Sequence, residues 1–279
     1  MTRQSLHAHC TFDDGAATPE QMVRAAIGAG LGAVGLSLHS PIPGEEDWCA
    51  RPENIPEFQA EIHRLAAVYR DEIAVYCGLE YDLCSEPDFG GFAYVIASVH
   101  ELVADGRRWS VDDTRARAKE LIDGAFGGDG DAAAQAYFAA VARIAALPEA
   151  DVVGHFDLLT KFDEPEPLYH TDSRVYRAAA LDAMERLVRA GKIFEINTGA
   201  AAKGYRTAFY PSEPLLRALR EMGGKITISS DAHAADQIAF GFPQAEALAR
   251  RCGFTALWQF NGRTFAPTEF KKDRAARNL

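Results

Sequence analysis

The chain has 279 residues, 48% hydrophobic and 25% charged, with a formal net charge of −11. That supplies a sizeable core and excludes a disordered chain. The acidic balance argues against a nucleic-acid or anionic-membrane surface, and no apolar run reaches the ~18 residues of a membrane span.

Seven short apolar, β-branched runs alternate with longer amphipathic stretches along the chain. The runs are QSLHAH (4–9), AVGLSLH (33–39), AVYCGLEY (74–81), AYVIASVH (93–100), DVVGHF (151–156), KIFEIN (192–197) and KITISSD (225–231). They read as parallel strands covered on both faces. After the first, TPEQMVRAAIGAG carries a helix start: Thr18 as N-cap, Pro19 at the first helical position and Gln21 closing a capping box. Further helices are predicted at 56–71, 112–125, 131–147, 173–190, 212–223 and 243–252, with Gly30, Gly191 and Gly223 as C-caps. Repeated βα units of this size predict an α/β barrel or a doubly wound sheet. GAFGGDGD (124–131) and FDEPEPLYH (162–170) read as loops rather than linkers, so one domain over 1–279 is expected. Cys10, Cys49, Cys77, Cys84 and Cys252 form no C-x-x-C pair. With no apolar secretion signal, that predicts a cytoplasmic protein.

The ends of the strands carry the chemistry. His7 and His9 stand one residue apart, so strand alternation points both imidazoles to one face. His39 ends the second strand, Glu80 the third, His100 the fourth and His155 the fifth. Glu195 and Asn197 lie in the sixth, and Asp231 and His233 end the seventh. Barrel enzymes build their sites at these C-terminal ends. A lone histidine there is ordinarily a hydrogen-bonded structural residue, but six of the chain's eight fall in this one pattern. His63, mid-helix, and His170, in a loop, stand outside it. Glu80 and Asp231 end apolar strands, where an unpaired carboxylate is costly to bury. With Asp14, the candidate metal ligands are His7, His9, Asp14, His39, Glu80, His100, His155, Asp231 and His233. That is too many for one ion and suits two or three divalent ions sharing a carboxylate. Imidazole and carboxylate donors without thiolate favour Zn, Mn or Fe.

HAHCTFDDG, LSLHSP, GLEYD, IASVH, GHFDLLTKF, EINTGA…YP and SSDAH follow one another over residues 5–241. This ordered set resembles the PHP (polymerase and histidinol phosphatase) family, and most of all its monofunctional histidinol-phosphate phosphatases. The resemblance implies a distorted (βα)7 TIM-like barrel with a trinuclear metal site. It implies one ion on His7, His9, Glu80 and Asp231, and a second on Glu80, His100 and His155. A third would sit on His39, His233 and an acidic residue after H-x-H, where Asp14 matches best and Asp13 is the alternative. Leu38 departs from the acidic residue that many relatives carry before the histidine, which implies altered tuning around a retained ligand.

The implied activity is hydrolysis of a small phosphomonoester, L-histidinol phosphate, to L-histidinol and phosphate in histidine biosynthesis. Another small phosphoester or a nucleotide is the alternative, and a non-catalytic metal-binding module a further one. Clustered divalent ions give an acidic protein the local positive potential a phosphate dianion needs, and draw the pKa of water down towards ~7. Glu80, Asp14, Asp231 and His233 are the expected catalytic residues. Lys161 in LLTKF, and Lys203 and Arg206 in AAAKGYR, are candidate phosphate-binding residues, Arg206 foremost because a guanidinium can engage two oxygens. Asp14, His233 and Asp157 are alternative general acids for the leaving alkoxide. The expected partner is a small phosphorylated substrate, with neither nucleic acid nor membrane.

Overall fold

The computed structural model describes residues 4–86, 88–164 and 166–270. Its strands are β1 (Gln4–Ser5), β2 (Ala33–His39), β3 (Ala74–Asp82), β4 (Tyr94–Ser98), β5 (Glu101–Ala104), β6 (Arg107–Ser110), β7 (Val152–Val153), β8 (Ile193–Asn197), β9 (Lys225–Ser229), β10 (Ala256–Phe260) and β11 (Phe265–Glu269). Its helices are α1 (Pro19–Gly28), α2 (Ile55–Val68), α3 (Arg115–Phe126), α4 (Gly130–Ala142), α5 (Arg174–Arg189), α6 (Gly199–Ala202), α7 (Glu213–Glu221) and α8 (Phe242–Arg251).

Seven strands form one parallel sheet in the order β1-β2-β3-β4-β7-β8-β9. The sheet curls until its edges meet. His9 N–H donates to the Ala232 carbonyl and Asp231 N–H to that of His7, both at 2.8 Å. Ser5 and Ser230 hydroxyls add a bond of 2.9 Å across the same seam. The result is a nearly closed (βα)7-type barrel, the α/β architecture expected from the sequence. β2, β4 and β8 are buried along their whole length, which accounts for their unbroken apolar runs. The capping box of α1 forms as predicted: Gln21 N–H donates to Thr18 Oγ1, and Thr18 N–H to Gln21 Oε1. Met22, Val23 and Ala26 then face the core. Among the described residues no helix is long and apolar enough to cross a membrane.

Two predicted strands are much shorter than their apolar runs. The first and fifth keep only Gln4–Ser5 and Val152–Val153 in the ladder. Beyond Ser5 the backbone bonds across the seam, and the His155 N–H donates to the Glu195 carboxylate at 2.8 Å instead of to a neighbouring strand. The helix predicted at 131–147 ends at Ala142 and tightens into a 3-10 turn, Arg143–Ala146.

Two antiparallel hairpins were not legible as strands. β5 and β6 join through Asp105 and Gly106, both in the left-handed region as a tight hairpin turn requires. β10 and β11 close the other end of the barrel, where Phe260 packs with Leu6, Tyr94, Ile96, Val152 and Ile193 near the strand beginnings.

Tyr94 fills the barrel interior beside that plug, its hydroxyl donating to the Leu6 carbonyl. Glycines on the two preceding strands make room for its ring. A Cβ on Gly35 would lie 2.0 Å from the Tyr94 hydroxyl, and one on Gly78 2.2 Å from its ring carbon Cζ. Gly78→Ala should therefore cost about 1–3 kcal/mol of stability, the range for overpacking a well-filled core. Urea denaturation would measure it, and a variant as stable as the parent would show that the ring can move aside.

Candidate metal centre

Parallel strands deliver their last residues to one end of the barrel. His39 of β2 stands in register with Glu80 of β3, His100 and His155 lie two residues beyond β4 and β7, and Asp231 and His233 follow β9. His7 and His9, on one face of the chain after β1, have ring centroids 5.2 Å apart. All nine sequence-predicted metal ligands come together here.

Glu80 is the centre, with 1% of its surface exposed. Its Oε2 lies 2.9 Å from His7 Nε2, 3.3 Å from His9 Nε2 and 3.1 Å from His39 Nδ1. Its Oε1 lies 3.0 Å from His155 Nε2 and 3.5 Å from His100 Nε2, and accepts a bond of 2.7 Å from the Ser98 hydroxyl. Asp231 Oδ1 is 3.4 Å from His9 Nε2 and 3.6 Å from His7 Nε2. Asp14 faces His233 at 3.2 Å and His39 at 3.6 Å.

A second layer of carboxylates orients the imidazoles, and sequence reasoning missed it. Glu195 Oε2 accepts from His7 Nδ1 at 2.9 Å, while its other oxygen accepts from the His155 backbone and from Asn197. Asp13 accepts from His9 Nδ1 at 2.8 Å and from the His39 N–H at 3.0 Å. Asp82 accepts from the His100 N–H at 2.7 Å and lies 3.3 Å from its Nδ1. A carboxylate at Nδ1 fixes the tautomer and leaves the Nε2 lone pair facing inward. So Asp14 faces the cluster while Asp13 stands behind it. A signal was present for Asp82: two residues after Glu80 in GLEYD, it shares a strand face with it.

The electrostatics are those of a site built for cations. Burial opposes charge on His7, but Glu195, Glu80 and Asp231 outweigh it and hold its pKa well above the ordinary value. Burial likewise opposes the Glu80 carboxylate, yet His7, His39 and His100 hold it well below the usual range. His39 moves the other way, pushed down to about 4 by burial and by His9. The buried atoms His7 Nε2, His9 Nε2 and Glu80 Oε2 have no hydrogen-bond partner although they face one another. Buried polar atoms are normally satisfied, and divalent ions would satisfy these. Four overlapping groups have donor atoms within 4.8 Å of one another: His7, Glu80 and His155; His7, His9 and Asp231; His39, Glu80 and His100; and His9, Asp14, His39 and His233. The residues present therefore fit two or three divalent ions of the Zn, Mn or Fe type.

A cavity of about 610 Å³ opens over this cluster, and Asp14, Asp231, His233, Lys161, Lys203 and Tyr210 are among its walls. Lys161 is held in place, its ammonium donating to the Asp112 carboxylate at 2.8 Å and to the Asp112 carbonyl at 2.7 Å. Lys203 has no hydrogen-bond or ion-pair partner among the described residues and lies close enough to Asp231 to lower its pKa.

Arg206 is a correction to the sequence reading, because it does not line this cavity. It is 8% exposed, its guanidinium lies 4.4 Å over the Tyr210 ring, and it donates to Thr160 Oγ1 at 2.7 Å. It props the wall from behind. Asp157 is also turned away, accepting from the Ser212 N–H at 3.0 Å, so of the three candidate general acids only Asp14 and His233 face the cavity. Tyr210 was missed; a pair of backbone bonds to Asn197 places it there.

Glu195→Gln tests the second layer. It keeps every inward-facing donor but weakens the hold on His7, so zinc affinity should fall about 10- to 100-fold. Competition with a chromophoric chelator measures this, and unchanged affinity would make Glu195 a space-filler.

Comparison with known proteins agrees with this geometry. A protein of Deinococcus radiodurans named "Probable histidinol-phosphatase" is 32% identical over 240 residues, spanning 82% of this chain and 85% of that one. The histidinol-phosphatase of Lactococcus lactis subsp. lactis is 26% identical over 282 residues, spanning 94% and 96%. The crystal structure of the Lactococcus lactis histidinol phosphate phosphatase, complexed with Zn, L-histidinol and phosphate, superposes with a TM-score of 0.74. It is 24% identical and covers 95% of this chain and 99% of that one. A crystal structure from Listeria monocytogenes reaches a TM-score of 0.77 at 18% identity, covering 86% and 99%. The family model of the PHP domain matches residues 5–199, and the chain belongs to the PHP family.

Proposed function

We propose that this chain is a metal-dependent phosphomonoesterase that hydrolyses L-histidinol phosphate to L-histidinol and phosphate. The observation that carries the reading is the buried Glu80 carboxylate with five imidazoles within 3.5 Å of it, under an open cavity. The names of the relatives support the choice of substrate.

In this reading His7, His9, Glu80 and Asp231 would hold one ion, Glu80 with His100 and His155 a second, and Asp14, His39 and His233 a third. Bound ions would supply positive potential for a phosphate dianion and lower the pKa of water, the two things hydrolysis of a phosphate ester requires. The chain's own residues orient and neutralise. Lys203, without a partner among the described residues, contacts a phosphate oxygen. Lys161, fixed by Asp112, offers a point charge at a set place. Arg206 holds Tyr210 against the cavity and so acts only through the wall. We place the enzyme in the cytoplasm, in keeping with its five free cysteines.

Elemental analysis should find two or three divalent ions per chain, and chelation should abolish phosphate release until Mn, Zn or Fe is restored. In a panel of phosphoesters, histidinol phosphate should lead nucleotides and sugar phosphates by 100-fold or more in kcat/KM. A nucleotide in first place would move the chain to another branch of the same chemistry.

Lys203 and Arg206 separate contact from support. Removing a charge-assisted bond to the phosphate costs about 1.5–3 kcal/mol, so Lys203→Ala should lose roughly ten- to two-hundred-fold in kcat/KM at unchanged ion content. Arg206→Ala should instead lower the melting temperature, because it removes a buried side chain packed on Tyr210 and the cation beside the buried Asp157 carboxylate. The reverse pattern would restore Arg206 as the phosphate ligand.

A further inference from the structure

The phosphate chemistry uses one part of the cavity and leaves another part unassigned: the wall made by Glu101, at the start of β5, and Trp48, in the loop after β2. Glu101 directly follows His100 and lines the cavity, yet it is only 7% exposed. Its carboxylate has no hydrogen bond or ion pair among the described residues. The charged groups that act on it are Glu45, Asp82, Asp112 and His100, so three of the four are acidic.

The cations nearby are engaged elsewhere. Arg108 donates to the Pro43 carbonyl and lies 3.6 Å from Glu45. Arg107 lies 4.0 Å over the Trp109 ring, Arg117 pairs with Glu120 at 3.0 Å, and Lys161 pairs with Asp112 at 2.8 Å. A carboxylate kept this buried without a partner is costly. One that faces a cavity is relieved when a ligand brings the missing cation. Trp48 is fixed beside the same cluster, 5.1 Å from the His39 ring and 5.4 Å from that of His100, with its indole N–H donating to Glu45 at 3.1 Å. An indole face adds attraction for a cation.

We infer that Glu101 is a specificity-determining residue that receives a cationic nitrogen on the leaving group, so that the cavity selects phosphorylated amino alcohols over uncharged alcohol phosphates. The inference rests on the phosphomonoesterase reading of the site. Adjacency makes the reach feasible. His100 belongs to the donor cluster that faces the phosphate, and the next Cα along the chain is only about 3.8 Å away. Both side chains line one cavity, so a nitrogen three bonds from the ester oxygen can meet the Glu101 wall.

The test uses the metal-loaded enzyme and two esters that differ only in the charged group, O-phosphoethanolamine and 2-hydroxyethyl phosphate, together with histidinol phosphate. In the wild type the amine ester should lead the alcohol ester in kcat/KM. In Glu101→Gln the ratio should fall roughly ten- to two-hundred-fold, the span of a lost charge-assisted bond, mostly through KM. Calorimetry with histidinol alone should show matching weaker binding, and Glu101→Asp should recover part of the ratio. Equal losses on both esters, or loss of metal from the Gln variant, would make Glu101 a support for His100 and overturn the inference. A wild type that prefers the amine ester but ignores histidinol phosphate would remove the proposed substrate and keep Glu101. A wild type that takes histidinol phosphate, with the ratio unmoved by Glu101→Gln, would do the opposite.

Discussion

One carboxylate, Glu80, sets the terms for the whole barrel end. It is buried to 1% exposure among His7, His9, His39, His100 and His155, which come from four different strand ends. Donors this crowded repel or stay unsatisfied unless positive charge is placed among them. Protons can bring such charge, and the carboxylates accordingly hold the His7 pKa up while the imidazoles hold that of Glu80 down. Divalent ions supply the same charge in more concentrated form. Without such a cation the donors would be costly to hold together.

The fold meets this demand by dividing its labour along the barrel axis. At the strand beginnings, Tyr94, Phe260 and their aliphatic neighbours fill the interior with apolar volume, and Gly35 and Gly78 yield the space. At the strand ends the interior is polar, and the seam between the first and last strands is tied by backbone bonds at His7, His9, Asp231 and Ala232. Those bonds place three of the cluster's polar side chains, those of His7, His9 and Asp231, and the barrel closure in the same few residues. Glu195 and Asp13 then lock the rings of His7 and His9, and Asp82 holds the His100 backbone, so little freedom remains to be lost when an ion enters.

What was legible in the sequence follows from this division. Periodicity and strand-end position exposed the ligands, because a histidine or carboxylate that interrupts an apolar run is conspicuous. The second layer was legible only at Asp82, which shares a strand face with Glu80. Glu195 sits mid-strand in KIFEIN, where a carboxylate reads as an oddity until the partner brought to it, His7, is known to be 188 positions away in sequence. Arg206 failed for a related reason. Sequence puts Lys203 and Arg206 three apart, but α6 ends between Ala202 and Lys203, and the turn that follows sends one side chain into the cavity and the other behind Tyr210. The β5–β6 hairpin carries too few apolar residues to announce strands, since half of it faces solvent or the cavity mouth.

The overall charge of −11 then acquires a local meaning. An acidic protein that takes a phosphate ester must confine its attraction to the reacting group. Around the cavity, Arg108, Arg117 and Lys161 are each matched to a carboxylate, at 3.6, 3.0 and 2.8 Å. Such pairs present little net positive potential to a second or third phosphate, which each require cations of their own. A nucleotide polyphosphate would find, among the described cations of the wall, only Arg107 and Lys203 without a carboxylate partner. In the proposed reading, a monophosphate with a cationic tail would find the donor cluster and Lys203 at one end and the Glu101 wall at the other. The same excess of carboxylates that repels a polyanion is what a small zwitterionic ester can use.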